Sequence, residues 1–144
     1  MNAETLMAEV RNLTKACKSL EKKKILVGIV GTADSEVLKI AAAHEYGLGG
    51  LPERSFIRAS FDAEKETLGH IVDNTVDKVL TGQTTPEAAI NAIGAQATQI
   101  VQNFIDDNRV KPQSDFSKKT QHTTLYETGT HIRDRIAYEV VDNK

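Results

Sequence analysis

Cysteine occurs once in these 144 residues, so Cys17 has no partner for a disulfide within the chain, and no disulfide framework can stand in for a hydrophobic core. Excess charge of either sign is missing too. Lys and Arg number 18 against 20 Asp and Glu, a formal net charge of −2, which gives no overall basic field to recommend a nucleic-acid binder and leaves only a local patch open. The chain has no uninterrupted run of about 18 apolar residues and no apolar N-terminal core suited to a signal peptide, so neither a membrane span nor export is expected. A reducing cytoplasm is the expected setting. Internal repeats and low-complexity tracts are absent.

Catalytic signatures are equally scarce. His44 and Glu45 are adjacent, so on a helix they diverge by about 100°. A metalloprotease motif would need a second histidine where Leu48 stands. His44, His70, His122 and His131 are scattered without the short spacing of a zinc site. The stretch EYGLGG lacks the Gly-Lys-Ser/Thr ending of a phosphate loop and does not follow a strand. Cys17 sits on an apolar helical stripe, which suits a buried structural thiol better than a nucleophile. His44 reads as a helix-surface or loop-packing residue. The expectation is a protein that is not an enzyme and has no catalytic residue, cofactor or metal.

What is present is enough for one ordinary domain, since roughly 68–70% of the unfolded surface is buried at this length. From Ala3 to Lys24, Leu6, Val10, Leu13, Cys17 and Leu20 recur at intervals of four and three, the stripe of a helix. Such a stripe lies on its own domain's sheet or forms a coiled-coil or partner-binding seam. Two heptads favour the first, on which Leu13→Asp unfolds the domain. Lys22, Lys23 and Lys24 suit the negative end of that helix. Ile25–Val30 is apolar on both faces and predicts a well-covered strand closed by Gly31. A turn at Thr32–Ser35 then offers Asp34 or Ser35 as N-cap for a helix reaching Tyr46. With Ser60 as N-cap, a second amphipathic helix runs to Gly82. Thr84 or Thr85 before Pro86 and Glu87 starts a third that reaches Asp107, and the short link makes the two an antiparallel hairpin. Residues 108–124 read as a long flexible loop with Phe116 as an isolated apolar residue that could anchor to a neighbouring subunit. A turn at Thr128–Gly129, a short helix at 131–135 and a final strand over Ile136–Val141, pairing with Ile25–Val30, complete a single α+β domain over 1–144. Its architecture is a small, mainly antiparallel sheet packed by the N-terminal helix and the helical hairpin.

The chain is organised around Ile40–Asp62, where an Ala-rich helix ends at Gly47, passes a glycine loop, and re-emerges through Pro52, Arg54 and Phe56. Arg54 is placed to brace the loop by bridging to Glu45 or Glu53, or to make a contact across a subunit boundary. Phe56 belongs to the core, or, if exposed with Leu51 and Pro52, to an interface.

Ala41, Ala42, His44, Glu45, Tyr46, Gly47, Leu51, Pro52, Arg54 and Phe56 together form a pattern that resembles the tail-completion or head-tail joining (neck) proteins of tailed bacteriophages, a group related to the virion-morphogenesis proteins of Mu-like phages. A second set, Leu125, Tyr126, Glu127, Thr128, Gly129, Ile132, Arg133, Ile136, Tyr138 and Val140, resembles that family's closing motif. Ser55 and Thr124 stand where the family often carries proline. The resemblance implies a structural virion protein that completes the head-proximal end of the tail, as a ring of identical subunits, possibly hexameric. It would be assembled in the host cytoplasm, between a tail terminator or tail tube protein and the head-tail connector, with DNA passing through without sequence-specific binding. Leu51, Pro52, Arg54, Phe56 and Phe116 are the candidate interface residues. The alternatives are a tail terminator or head-side adaptor of the same assembly, or a small phage-encoded enzyme or nucleic-acid-binding regulator.

Overall fold

Helix α5, Pro86–Asp106, is the element against which the others pack, and its sequence explains why it forms. Thr85 caps it by accepting the Ala88 N–H at 3.1 Å, Pro86 occupies the first turn where its missing N–H costs nothing, and Glu87 faces the positive end of the dipole. Asn108, at φ 55°, ends it: its N–H reaches the Ile105 carbonyl and that of Arg109 the Phe104 carbonyl, the paired bonds of a Schellman cap. Between these ends Ala89, Ile90, Ile93, Gly94, Ala97, Val101, Phe104 and Ile105 are buried at helical spacing.

The computed structural model describes residues 2–29, 35–114, 118–119, 125 and 132–143. In order these form α1 (Ala3–Glu21), β1 (Lys23–Gly28), α2 (Ser35–Tyr46), α3 (Ile57–Ala63), α4 (Lys65–Leu80), α5, a short 3-10 helix (Ile132–Arg135) and β2 (Ala137–Asp142). The fold is α+β. Strands β1 and β2 pair antiparallel from Lys23 opposite Asp142 to Gly28 opposite Ala137, and they are the only strands among the described residues. The pairing therefore places Ile25 opposite Val140 and Val27 opposite Tyr138, on the face that lies on α5. Gly94 makes that contact close. A Cβ there would lie 2.7 Å from Cγ and Cε2 of the Tyr138 ring, whose hydroxyl donates to Asn91 Oδ1 on the same helix.

The expected hairpin is present as α4 and α5, joined through Gly82, whose φ of 77° ends α4. The preceding helix is not continuous, however. It breaks at Glu64 into α3 and α4, and Ser60 lies inside α3 instead of capping it. No glycine or proline marks the break. Glu64 is held from outside, its carboxylate accepting from Arg109 Nη1 at 2.6 Å and from Thr67 Oγ1 at 3.0 Å. The Arg109 interaction first, then the Thr67 bond, keep this carboxyl below its ordinary pKa.

Three further expectations change. Strand β1 is not covered on both faces, since a two-stranded ribbon has one face on α5 and leaves Leu26 exposed on the other. The α1 stripe does not lie on the sheet: none of the helix's residues, all of them described, is buried, and Cys17 is exposed. Its inner face is formed by the half-buried Ala8, Ala16 and Ser19 together with Leu20, the one member of the expected stripe that is not exposed. The expected loop at 108–124 is packed over its first part, with Val110 and Ser114 buried. The readings at Gly31, Thr32–Asp34, Phe116, Thr128–Gly129 and His131 fall outside the described residues.

Candidate subunit interface at the glycine-proline loop

The end of α2 and the start of α3 are locked by one carboxylate. The N-cap position of α3 is taken by Phe56, a residue with no polar side chain to satisfy the orphan N–H groups of a helix start. Glu45, ten residues and more upstream on α2, supplies the cap. Its Oε2 accepts from the N–H groups of Phe56 (2.8 Å) and Ile57 (2.9 Å), and its Oε1 from the Arg58 N–H (3.0 Å). Ser55 Oγ donates to the same Oε1 at 2.9 Å and accepts the Ala59 N–H at 3.1 Å, so the serine at the position where proline was expected contributes two bonds to the helix start. Glu45 is only 4% exposed. Burial pushes its carboxyl pKa up, but the N–H bonds from Ile57, Arg58 and Phe56 and the Arg58 guanidinium outweigh that, and the group is held below its ordinary value.

The brace foreseen for Arg54 is made by Arg58. Its Nε donates to Glu45 Oε1 at 2.9 Å, its Nη2 to Glu53 Oε1 at 3.1 Å and to the Glu45 carbonyl, while the guanidinium stacks 4.6 Å from the Tyr46 ring centroid. The Glu45 hydrogen bond chiefly raises the Arg58 pKa. Helical spacing explains the exchange: Arg58, on the first turn of α3, shares the carboxylate that caps that turn, whereas Arg54 precedes it. Arg54 Nε instead donates to the Pro112 carbonyl at 2.8 Å and its backbone N–H to the His44 carbonyl at 2.7 Å, tying the loop to the segment after α5. His44 is buried, not on the helix surface. Gly47, at φ 67°, is fixed by space as well as by conformation, because a Cβ there would come within 2.9 Å of the Glu53 nitrogen.

Of the candidate interface residues, Leu51 and Pro52 are exposed together on this loop and Arg54 is half-buried. Phe56 is fully buried and belongs to the core, so it is not available as an exposed anchor. It packs in one cluster with Ala41, Val101, Phe104, Ile105, Val110, Leu125, Ile132 and Ile136. Phe116 lies outside the described residues. Sequence reading passed over the exposed Leu38, Tyr46 and Leu48 as apolar surface at this end of α2. It also missed Ser55 and Arg58 as partners of Glu45. The available signal was a helix start, SFIR, without a cap of its own.

Among the described residues no group of three or more His, Cys, Asp or Glu is placed to hold a metal ion, and no helix is long and apolar enough to cross a membrane. Comparison with protein families, curated proteins and solved structures yields no match.

Proposed function

We propose that this chain is a structural virion protein of the neck or tail-completion class, not an enzyme, which completes the head-proximal end of a phage tail and mediates head-tail joining. The observation that carries the reading is the meeting of the two remote motifs in one core: Ala41 and Phe56 from the first pack with Leu125, Ile132 and Ile136 from the second. Residues whose pattern resembles a family's two signatures thus form one structural unit. Leu48, Leu51 and Pro52 are exposed on the loop between the two helices that the Glu45–Arg58 pair joins, and an exposed apolar ridge suits a heterologous head-to-tail contact that closes a ring. In this proposal copies of the chain form that ring, with six as the resemblance-based number. It sits in the virion between the tail terminator or tube and the head-tail connector, and DNA passes through it.

The test is electron microscopy of lysates from a phage with a nonsense codon in this gene, with and without the protein supplied in trans. Filled heads beside separate tails of normal length, joined again by the supplied protein, support tail completion. Overlong tails reassign the chain to the terminator role, and intact infectious virions overturn the joining role.

A further inference from the structure

We propose that the open edge of β1 takes up an extended arm of a partner protein as a third strand, with two apolar side chains of the arm seated in the cleft between β1 and α4 and a carboxylate beside Lys24. The inference stands on this edge and cleft and does not rest on the neck reading.

The ladder shows which backbone groups are open. The Asn143 N–H donates to the Lys22 carbonyl at 2.7 Å, so these two form a hydrogen-bonded pair just beyond the strands. Such pairs alternate along an antiparallel ladder, and in the register that sets Lys23 opposite Asp142 the next ones are Lys24 with Val141 and Leu26 with Glu139. Ile25 and Val27 fall between them. Their N–H and C=O groups therefore point away from β2, and among the described residues no other strand meets them.

The side chains of the same two residues line an apolar cleft of about 250 Å³. Phe61 of α3 with Leu68 and Val72 of α4 form its other wall, and the buried Ile93 and Ala97 of α5 its floor. No residue of β2 lines it, which places the cleft on the open side of β1. An apolar cavity of about 150 Å³ takes up a benzene ring, so this one has room for two aliphatic side chains.

Edge and cleft together name the occupant. A strand paired with β1 sends alternate side chains to one face, so its residues opposite Ile25 and Val27 enter the cleft while the one opposite Lys24 lies on the outer face. Lys24 is exposed there and has no carboxylate partner among the described residues, whereas Lys23 is paired with Asp142. The arm thus carries two apolar residues separated by one, with an acid next to one of them. The strands of a second copy do not qualify, because Tyr138 of β2 and Ile25 and Val27 of β1 already face their own α5.

Nuclear magnetic resonance and amide exchange on the full chain test this, with the acetylated and amidated peptide Thr-Glu-Val-Thr-Val-Glu-Thr as probe, which reads the same in both directions. Saturable binding is expected, with exchange of the Ile25 and Val27 amides slowed by about tenfold or more in the bound protein. Serine in place of both valines should abolish binding, and Lys24→Glu should raise the dissociation constant about fivefold while leaving the fold intact. No saturable binding at millimolar probe overturns the proposal, and so does binding that leaves those two amides unprotected or that the serine peptide matches. Amides already protected in the free protein would mean a filled edge, by another part of the chain if protection is independent of concentration and by a second copy if it rises with it; either overturns it.

Discussion

Helices α1 and α5 are of similar length, 19 and 21 residues, and both repeat apolar residues at helical intervals, yet α5 buries eight of its residues and α1 none. The difference lies in what surrounds them. α5 is met by the sheet, α3, α4 and the 3-10 helix, and it alternates bulky Ile90, Ile93, Val101 and Phe104 with Ala89, Gly94 and Ala97, so neighbours approach it closely. α1 meets α5, α4 and β1 only through half-buried residues, Ala8, Ala16, Ser19 and Leu20. A periodic stripe shows that a helix has a sticky face. It does not show whether that face is covered by the same chain.

The sharpest way to break the comparison is to place the same charge on each stripe. Val101→Asp puts an unpaired carboxylate at a position with no exposure, and a loss of more than about 4 kcal/mol, hence an unfolded chain by circular dichroism, is expected. Survival of the fold would show that α5 is not the centre of the core.

The Glu45 cap comes next, because it joins the α2–α3 unit that leans on α5. Glu45→Gln should cost roughly 2–3 kcal/mol at neutral pH in denaturant titrations. Since folding depresses the carboxyl pKa of Glu45, its contribution is complete above the unfolded value of about 4.3 and is lost as pH falls through the lower folded value. The variant's stability should therefore fall less steeply than the wild type's in this acid range. An equal slope would remove Glu45 as the source.

Two glycines sharpen the contrast between covered and open helix surface. Gly94→Ala drives a methyl into the Tyr138 ring and should cost about 1–3 kcal/mol by overpacking. Gly69→Ala on α4 meets nothing within 4 Å and should gain about 0.5–1 kcal/mol from helix propensity and a stiffer unfolded chain. Thermal unfolding of the two variants checks both signs.

The smallest effect belongs to the stripe that looked most dangerous to disturb. Leu13→Asp, expected from the sequence to unfold the domain, should change the stability of the dilute protein by only about 0.5 kcal/mol, since Leu13 is exposed.

Much of the local structure was legible. The start of α1, the extent of α5, the Thr85–Pro86 start, the glycine stops at Gly47 and Gly82, and the pairing of the first strand with the last are set by period, caps and turn chemistry, which act over a few residues, whereas α1 stops at Glu21 and Lys23 and Lys24, expected at its end, belong to β1. At the candidate site the exposed pair Leu51 and Pro52 was legible for the same reason. The break at Glu64, the choice of Arg58 over Arg54 as the brace, the burial of Phe56 and the exposure of the α1 stripe were not. Each depends on a partner outside the local stretch: Arg109 for Glu64, Glu45 for Arg58, Ile132 and Ile136 for Phe56, and for α1 neighbours that leave none of its residues buried. Local chemistry decides what a segment is. Only packing decides what it faces, because burial is a property of the atoms that arrive from elsewhere.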